Sequence, residues 1–340
     1  MKWVLRIAGG LFAVLVVAFL VFRTPDTDPE EMRAKYGGPP SQFVEIVSGV
    51  DVHLRDEGPD QEGGAGEPIL LLHGSNADLH TWQPWVESLK ASRRIIRFDQ
   101  IGHGLTGPDP KHDYSRANFT ADIAEVLDAL GISRAIIAGN SMGGKHALAF
   151  AVVYPERVSG LILVDGSGAP LPKEEEPEEQ ESEDEGGDAG GNIGFAIAQT
   201  PGVNLLVEQI TPRSLIRQSL EESVSVRSVV TEEAVDRYWE LLRYPGNRRA
   251  TLKRFSAPYD PLTVDEIASV QAPTLILWGE EDRLIPVEAG RWLDQVMPNS
   301  TIVIYEGIGH LPHEEAPEAT LEAVSGWLAN LDVTTQNPDP

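Results

Sequence analysis

The chain has 340 residues, 41% of them apolar and 24% charged, with 53 Asp and Glu against 27 Lys and Arg. That apolar share excludes a wholly disordered polymer, and the formal charge of −26 argues against a protein that binds nucleic acid through a cationic face. With no cysteine there is no disulfide framework, thiolate metal site or cysteine nucleophile.

The first element is a run of sixteen uncharged residues from Ile7 to Phe22, IAGGLFAVLVVAFLVF, preceded by Lys2 and Arg6. It would span about 24 Å as a helix, and adding Trp3 to Leu5 lengthens it toward a bilayer core of roughly 30 Å. The expectation for residues 1–22 is a membrane anchor. A secretory signal is the alternative, although no small-x-small cleavage site follows. Either reading puts the body on the exported side, periplasmic or extracellular. Residues 23–41, polar and holding Pro25, Pro29, Pro39 and Pro40, read as a linker.

From residue 42 the pattern alternates. Phe43–Val47 and Val50–Arg55 flank a Ser48-Gly49 turn and predict a β-hairpin. Short apolar runs predict strands at Ile69–Leu72, Arg94–Phe98, Ala135–Ala138, Val158–Val164, Thr274–Trp278 and Thr301–Tyr305. Helical spacing lies between them at Asn118–Leu130, Met142–Tyr154 and Val287–Val296, with a last helix from Pro317 to about Leu331. This order predicts an α/β fold with a mostly parallel, doubly wound sheet built from residues 42–166 and 263–331. Residues 167–262 break the alternation after the sixth core strand. They read as a helical cap over the carboxyl edge of the sheet, where open α/β sheets bind ligands. The cap carries an acidic tract at 173–188 with ten acids and one lysine; without it the net charge is −17. Residues 332–340 read as a tail.

Chemistry concentrates at three strand ends. Gly139-Asn140-Ser141-Met142-Gly143 is a G-x-S-x-G turn between a buried strand and an apolar helix, the context a nucleophile elbow requires. Trp278-Gly279-Glu280-Glu281-Asp282 and Gly307-Ile308-Gly309-His310 follow the next two strands, so serine, acid and histidine come in the chain order this geometry uses. The expected catalytic residues are Ser141 as nucleophile, His310 as general base and acid, and Asp282 to orient the imidazole. Asp165, at another strand end, is the substitute acid. His313 reads as a surface or loop residue, and Glu280, Glu281 and Lys145 as solvated or ion-paired. An oxyanion hole is expected from the backbone N–H of Met142 and that of Ser75, with Asn76 next to it. His73 reads as a structural histidine bonded to loop carbonyls. Phe195, Ile197, Leu205, Leu206, Tyr238, Trp239 and Leu242 are candidates for an apolar lining. No H-E-x-x-H occurs, and neither metal nor cofactor is expected.

Taken together, His73-Gly74, Asp99-Gln100-Ile101-Gly102-His103-Gly104, Gly139–Gly144, Trp278–Asp282 and Gly309-His310 resemble the α/β-hydrolase fold superfamily. They resemble in particular its cap-bearing serine esterases, lipases and C–C bond hydrolases, and the likeness covers roughly Phe43 to Leu331. Relatives that open epoxides or displace halide carry aspartate at the elbow; serine implies acyl chemistry. The leading expectation is a serine hydrolase of carboxylesterase type, cleaving a small apolar acyl ester through an acyl-enzyme. A C–C bond or amide hydrolase with the same triad is the alternative, and a non-catalytic binding protein on this scaffold the third reading.

Overall fold

The structure is a computed structural model that describes residues 2–59, 66–168, 208–257 and 260–336. Helix α1 (Lys2–Phe22) and the short α2 (Pro29–Tyr36) precede a hairpin of β1 (Ser41–Glu45) and β2 (Asp51–Glu57). There follow β3 (Ile69–Leu72), α3 (Gln83–Leu89), β4 (Ile95–Phe98), α4 (Arg116–Ala129), β5 (Ala135–Asn140), α5 (Met142–Val153) and β6 (Val158–Val164). Helices α6 (Arg213–Ser223), α7 (Glu232–Leu242), α8 (Asn247–Phe255) and α9 (Val264–Ala268) lead to β7 (Thr274–Gly279). The chain ends with α10 (Val287–Val296), β8 (Ser300–Tyr305), α11 (Pro312–Glu315) and α12 (Pro317–Gln336).

The strands form one sheet in the order β1-β2-β4-β3-β5-β6-β7-β8. β1–β2 and β2–β4 pair antiparallel and every later pair is parallel. Gly49, with φ 81°, supplies the left-handed residue that turns the hairpin. The central strands β3, β4, β5, β6 and β7 are buried along their whole length. Their period-2 alternation sends Leu70, Leu72 and Ile137 into one core and Ile69, Leu71 and Ile136 into another on the opposite face. Helices therefore cover both faces, as the apolar runs predict.

Three expectations change here. The membrane anchor is the first. Lys2–Phe22 is helical, but among the described residues no helix is long and apolar enough to cross a membrane. The uninterrupted apolar run inside it is the sixteen residues from Ile7 to Phe22, about 24 Å against roughly 30 Å of hydrocarbon, with Arg6 separating it from Trp3–Leu5. The membrane-anchored, exported body, its membrane partner and the secreted alternative, which rested on the same segment, are corrected accordingly.

The second change concerns the linker. Asp28 caps α2 by accepting the N–H groups of Glu30 and Glu31, and Met32 is buried beside Leu105, Leu241 and Tyr244. Upstream, Asp26 pairs with Arg248 at 2.6 Å, Arg243 donates to the Pro25 carbonyl at 3.1 Å, and the Thr24 amide donates to Gln209 O at 2.9 Å. Residues 24–36 strap the helices inserted between β6 and β7. Third, the last helix continues to Gln336, past the expected end.

The cap helices pack on one another through Leu220, Val235 and Tyr238, and this cluster takes in Ala77 from the loop after β3. That contact seats the described part of the insertion over the carboxyl edge of the sheet. The acidic tract 173–188 and the lining candidates Phe195, Ile197, Leu205 and Leu206 lie outside the described residues, as do 337–340.

Candidate active site

Ser141 joins β5 to α5 with φ 53° and ψ −120°, a conformation that L residues rarely adopt and that persists only where the surroundings enforce it. The enforcement is steric. A Cβ on Gly139 would stand 2.2 Å from Gly143 O, and one on Gly143 would stand 2.2 Å from Leu72 O. The turn is too tight for side chains at these flanks, which is why the motif is written in glycines. The Ser141 amide is tied to Val164 O at 3.0 Å, and its carbonyl receives the amides of Lys145 and Ser167.

His310 lies on the loop after β8. Its Nδ1 is 2.7 Å from Asp282 Oδ2, its amide donates to Ser223 O at 2.9 Å, and its carbonyl receives Asn140 Nδ2 at 3.1 Å. The last bond ties the histidine loop to the residue preceding Ser141. Asp282 is buried on the loop after β7, and its Oδ1 accepts the amides of Leu284 at 2.7 Å and Ile285 at 3.0 Å. Burial alone would raise this carboxyl. The facing His310 charge and the hydrogen bonds from His310 and the Ile285 amide outweigh it and hold Asp282 below the usual carboxylate range. An ionised Asp282 accepts from the Nδ1–H tautomer, which leaves the Nε2 lone pair of His310 free.

Asp165 also enters this cluster, with φ 45° at the end of β6, and its Oδ1 accepts the Gly279 amide at 3.1 Å. Its Oδ2 is buried without a donor. Complete burial and the neighbouring Asp282 charge raise its pKa well above the ordinary value, favouring its neutral form. Asp165, Asp282 and His310 are the one group among the described residues whose ligand-type atoms converge, all within 4.8 Å. His310 Nδ1 faces Asp282, so the cluster reads as an imidazole backed by one carboxyl with a second acid beside it.

The loop after β3 is held against the elbow. His73 Nδ1 lies 2.8 Å from Gly74 O, and its Nε2 receives the Gln100 amide at 3.0 Å. Buried and pushed down in pKa by that burial, His73 is a neutral clamp, as expected for a structural histidine. A Cβ on Gly74 would lie 3.2 Å from Ser141 Cβ, so Ser75 follows a backbone in contact with the elbow. Met142 is the first residue of α5, and its N–H has no partner within the helix. Both expected oxyanion residues thus lie around Ser141, one from each loop.

Other readings are corrected. His313 is fully buried, its ring tilted against Trp82 with centroids 4.3 Å apart and bonded to Thr81 Oγ1 at 2.9 Å, and burial lowers its pKa to about 3. Lys145 is half-buried, which lowers its pKa, while Glu280 and Glu281 are exposed as expected. Tyr238 lines a small apolar pocket with Leu220, Val224, Val229 and Leu311, next to His310 in sequence. Trp239 instead donates its Nε1 to Thr211 O at 2.7 Å, and Leu242 is half-buried on the same helix.

Sequence reading missed two positioning groups. Glu315, on α11, accepts the amides of Gly309, Leu311, Ser225 and Val226 at 2.8–3.1 Å, holding the histidine loop to the cap. Arg254, on α8, reaches the oxyanion residues with its Nη1, 3.4 Å from Ser75 Oγ and 3.1 Å from Met142 Sδ. Neither stands out in the sequence, where one sits in an acidic turn and the other in a basic helix.

The family described as alpha/beta hydrolase fold matches residues 67–317. A 2-hydroxy-6-oxo-2,4-heptadienoate hydrolase of Pseudomonas putida is 28% identical over 299 residues, covering 84% of this chain and 96% of its own. A 2-hydroxy-6-oxononadienedioate/2-hydroxy-6-oxononatrienedioate hydrolase of Burkholderia vietnamiensis is 30% identical over 302 residues, covering 82% and 92%. A meta-cleavage product hydrolase of Pseudomonas fluorescens shares the fold, with a TM-score of 0.70 at 23% identity over 85% of this chain and 97% of its own. An esterase of Thermogutta terrifontis shares it too, at 0.67 and 24%, over 86% and 99%. The chain belongs to the α/β-hydrolase fold family and is a hydrolase.

Proposed function

We propose that this hydrolase breaks a carbon–carbon bond beside a ketone through an acyl-enzyme on Ser141. Ester cleavage, the leading expectation from sequence, becomes the second reading. What carries the choice is the similarity, over more than four-fifths of the chain, to hydrolases of 2-hydroxy-6-oxo dienoates. Ser141, with its proton passed to His310 Nε2, attacks the ketone carbon. The resulting oxyanion rests on the amides of Ser75 and Met142. The dienoate reacts as its 2,6-diketo tautomer, its enol proton having moved to the carbon beside the ketone; when the tetrahedral centre collapses, that carbon leaves with the bonding pair as a dienolate delocalised onto the 2-oxo oxygen. His310 returns its proton to that carbon. Water, deprotonated by His310, then attacks the acyl-Ser141 ester, and the serine recovers its proton from His310 as the acid departs. Asp282 stabilises the imidazolium in both halves.

The test compares kcat/KM for 2-hydroxy-6-oxo-2,4-heptadienoate and for p-nitrophenyl butyrate. The dienoate should be preferred, and Ser141→Ala should abolish both activities while the fold is kept. Turnover of the ester alone would contradict C–C cleavage and leave the esterase reading. Full activity in Ser141→Ala would contradict the serine mechanism itself.

A further inference from the structure

Helix α8 brings to the site an arginine that meets no group of opposite charge among the described residues. Along the sequence NRRATLKRF, Arg248 pairs with Asp26 at 2.6 Å and Arg249 with Glu208 at 2.8 Å. Arg254 differs. Its Nη1 lies 3.4 Å from Ser75 Oγ and 3.1 Å from Met142 Sδ, and its Nη2 lies 3.0 Å from Thr251 Oγ1 and 3.5 Å from Asn76 Oδ1. Every one of these partners is neutral. Its Nε is buried with no partner, and among the described residues no carboxylate lies within ion-pair distance.

Cations taken out of water are costly unless matched, and proteins normally match them. The other cap arginine on this rim, Arg237, is matched: its Nε donates to the buried Asp78 at 3.1 Å. Arg254 carries the signature of the unmatched case, its pKa pulled down by burial to about 9. The surrounding titratable groups offer no anion. His73, His103 and His146 are all pushed toward their neutral forms by burial, with the Arg254 charge adding to the effect. The phenol of Tyr114 has its pKa raised by burial and its buried Oη is without a partner.

A guanidinium fork suits a carboxylate, to which it donates two parallel hydrogen bonds. We propose that Arg254 is a carboxylate subsite beside the oxyanion residues, so that the enzyme selects carbonyl substrates bearing a carboxylate over neutral ones. An acid seated there lies only a few bonds from a carbonyl held at the Ser75 and Met142 amides. The subsite rests on the serine-hydrolase reading for its place, but not on whether the bond broken is C–C or C–O.

The test uses two esters of equal chain length, mono-p-nitrophenyl succinate and p-nitrophenyl butyrate. In Arg254→Gln the ratio of their kcat/KM values, anionic over neutral, should fall roughly ten-fold or more from the wild-type ratio, and Arg254→Lys should recover part of it. A ratio in Arg254→Gln within about two-fold of wild type overturns the subsite. Calorimetry on the wild-type protein needs neither turnover nor a variant. Succinate should bind at least about ten-fold more tightly than succinamide, and equal affinities overturn the subsite whatever the reaction proves to be.

Discussion

Gly143→Ala tests whether the elbow geometry is what orders the site. The added Cβ would stand 2.2 Å from Leu72 O and 2.7 Å from His73 O, both backbone atoms at the end of β3. Carbon and oxygen normally approach no closer than about 3.3 Å, so α5 and the β3 loop must separate by about 1 Å. Overpacking of this kind costs about 1–3 kcal/mol, which in a domain of this size lowers Tm by about 3–10 °C. The same displacement opens the gap between the Met142 and Ser75 amides. A misplacement of about 1 Å at a reacting centre costs roughly a hundred-fold in rate. Gly326→Ala is the control. It lies exposed in α12 with nothing within 4 Å of the added Cβ, and should gain about 0.5–1 kcal/mol without touching kcat/KM. Thermal melts and ester turnover on the two variants give the comparison. A Gly143→Ala protein that melts within about 1 °C of wild type with kcat/KM within about two-fold would refute the steric argument.

Asp282→Asn should keep the fold but lower kcat by roughly 10⁴, because the amide presents an N–H to His310 and selects the wrong tautomer; loss of less than ten-fold would point to Asp165 as the working acid. Asp165→Asn should leave the acid limb of the kcat/KM profile in place, since burial and the Asp282 charge favour the neutral form of the carboxyl it replaces and the amide still accepts from Gly279. If Asp165 were ionised, removing its charge beside Asp282 and His310 would lower that limb by about one pH unit or more. Asp122, buried on α4 with Glu125, Asp109 and Asp113 nearby, has its pKa raised to about 8, by burial first and those charges second. A folded-state pKa above the unfolded one contributes stability at low pH that is lost as pH rises through about 8. Asp122→Asn should therefore flatten the fall in Tm between pH 6 and 9, and an unchanged slope would show that Asp122 does not titrate there.

Much of the sheet was legible because its central strands are buried on both faces. Ile69–Leu72 and Val158–Val164 are apolar end to end and bounded by turn residues, and both appear in the structure with those limits. The insertion reads as helical from its sequence, but its first described helix stops at Ser223, and Glu315 takes up the amides of Ser225 and Val226, a contact far off in sequence. Helix α2 was missed because it has one buried side chain, Met32, whose apolar partners come from the insertion and the loop after β4. Helix α8 shows no apolar stripe, so Arg254 looked like one more solvated charge.

The site was legible for a different reason. Ser141 and Asp282 follow buried strands, His310 follows the half-buried edge strand β8, and the parallel pairing puts all three at the carboxyl edge of the sheet. Asp165 follows a buried strand too. The sequence reading already preferred Asp282, and the 2.7 Å approach of His310 Nδ1 to Asp282 supports that order. His313 looked like a loop residue because its neighbours are Pro312, Glu314 and Glu315. Its burial comes from Trp82 and Thr81, more than two hundred residues earlier.

The central claim is that one serine carries the chemistry, and the most direct measurement is peptide mapping after reaction with a fluorophosphonate. A single phosphonyl group should appear on Ser141 and be absent from Ser141→Ala. Prior incubation with 2-hydroxy-6-oxo-2,4-heptadienoate should slow its appearance. A protein that cleaves the dienoate while Ser141 stays unlabelled, or that is labelled and inactivated at another residue, would contradict the account.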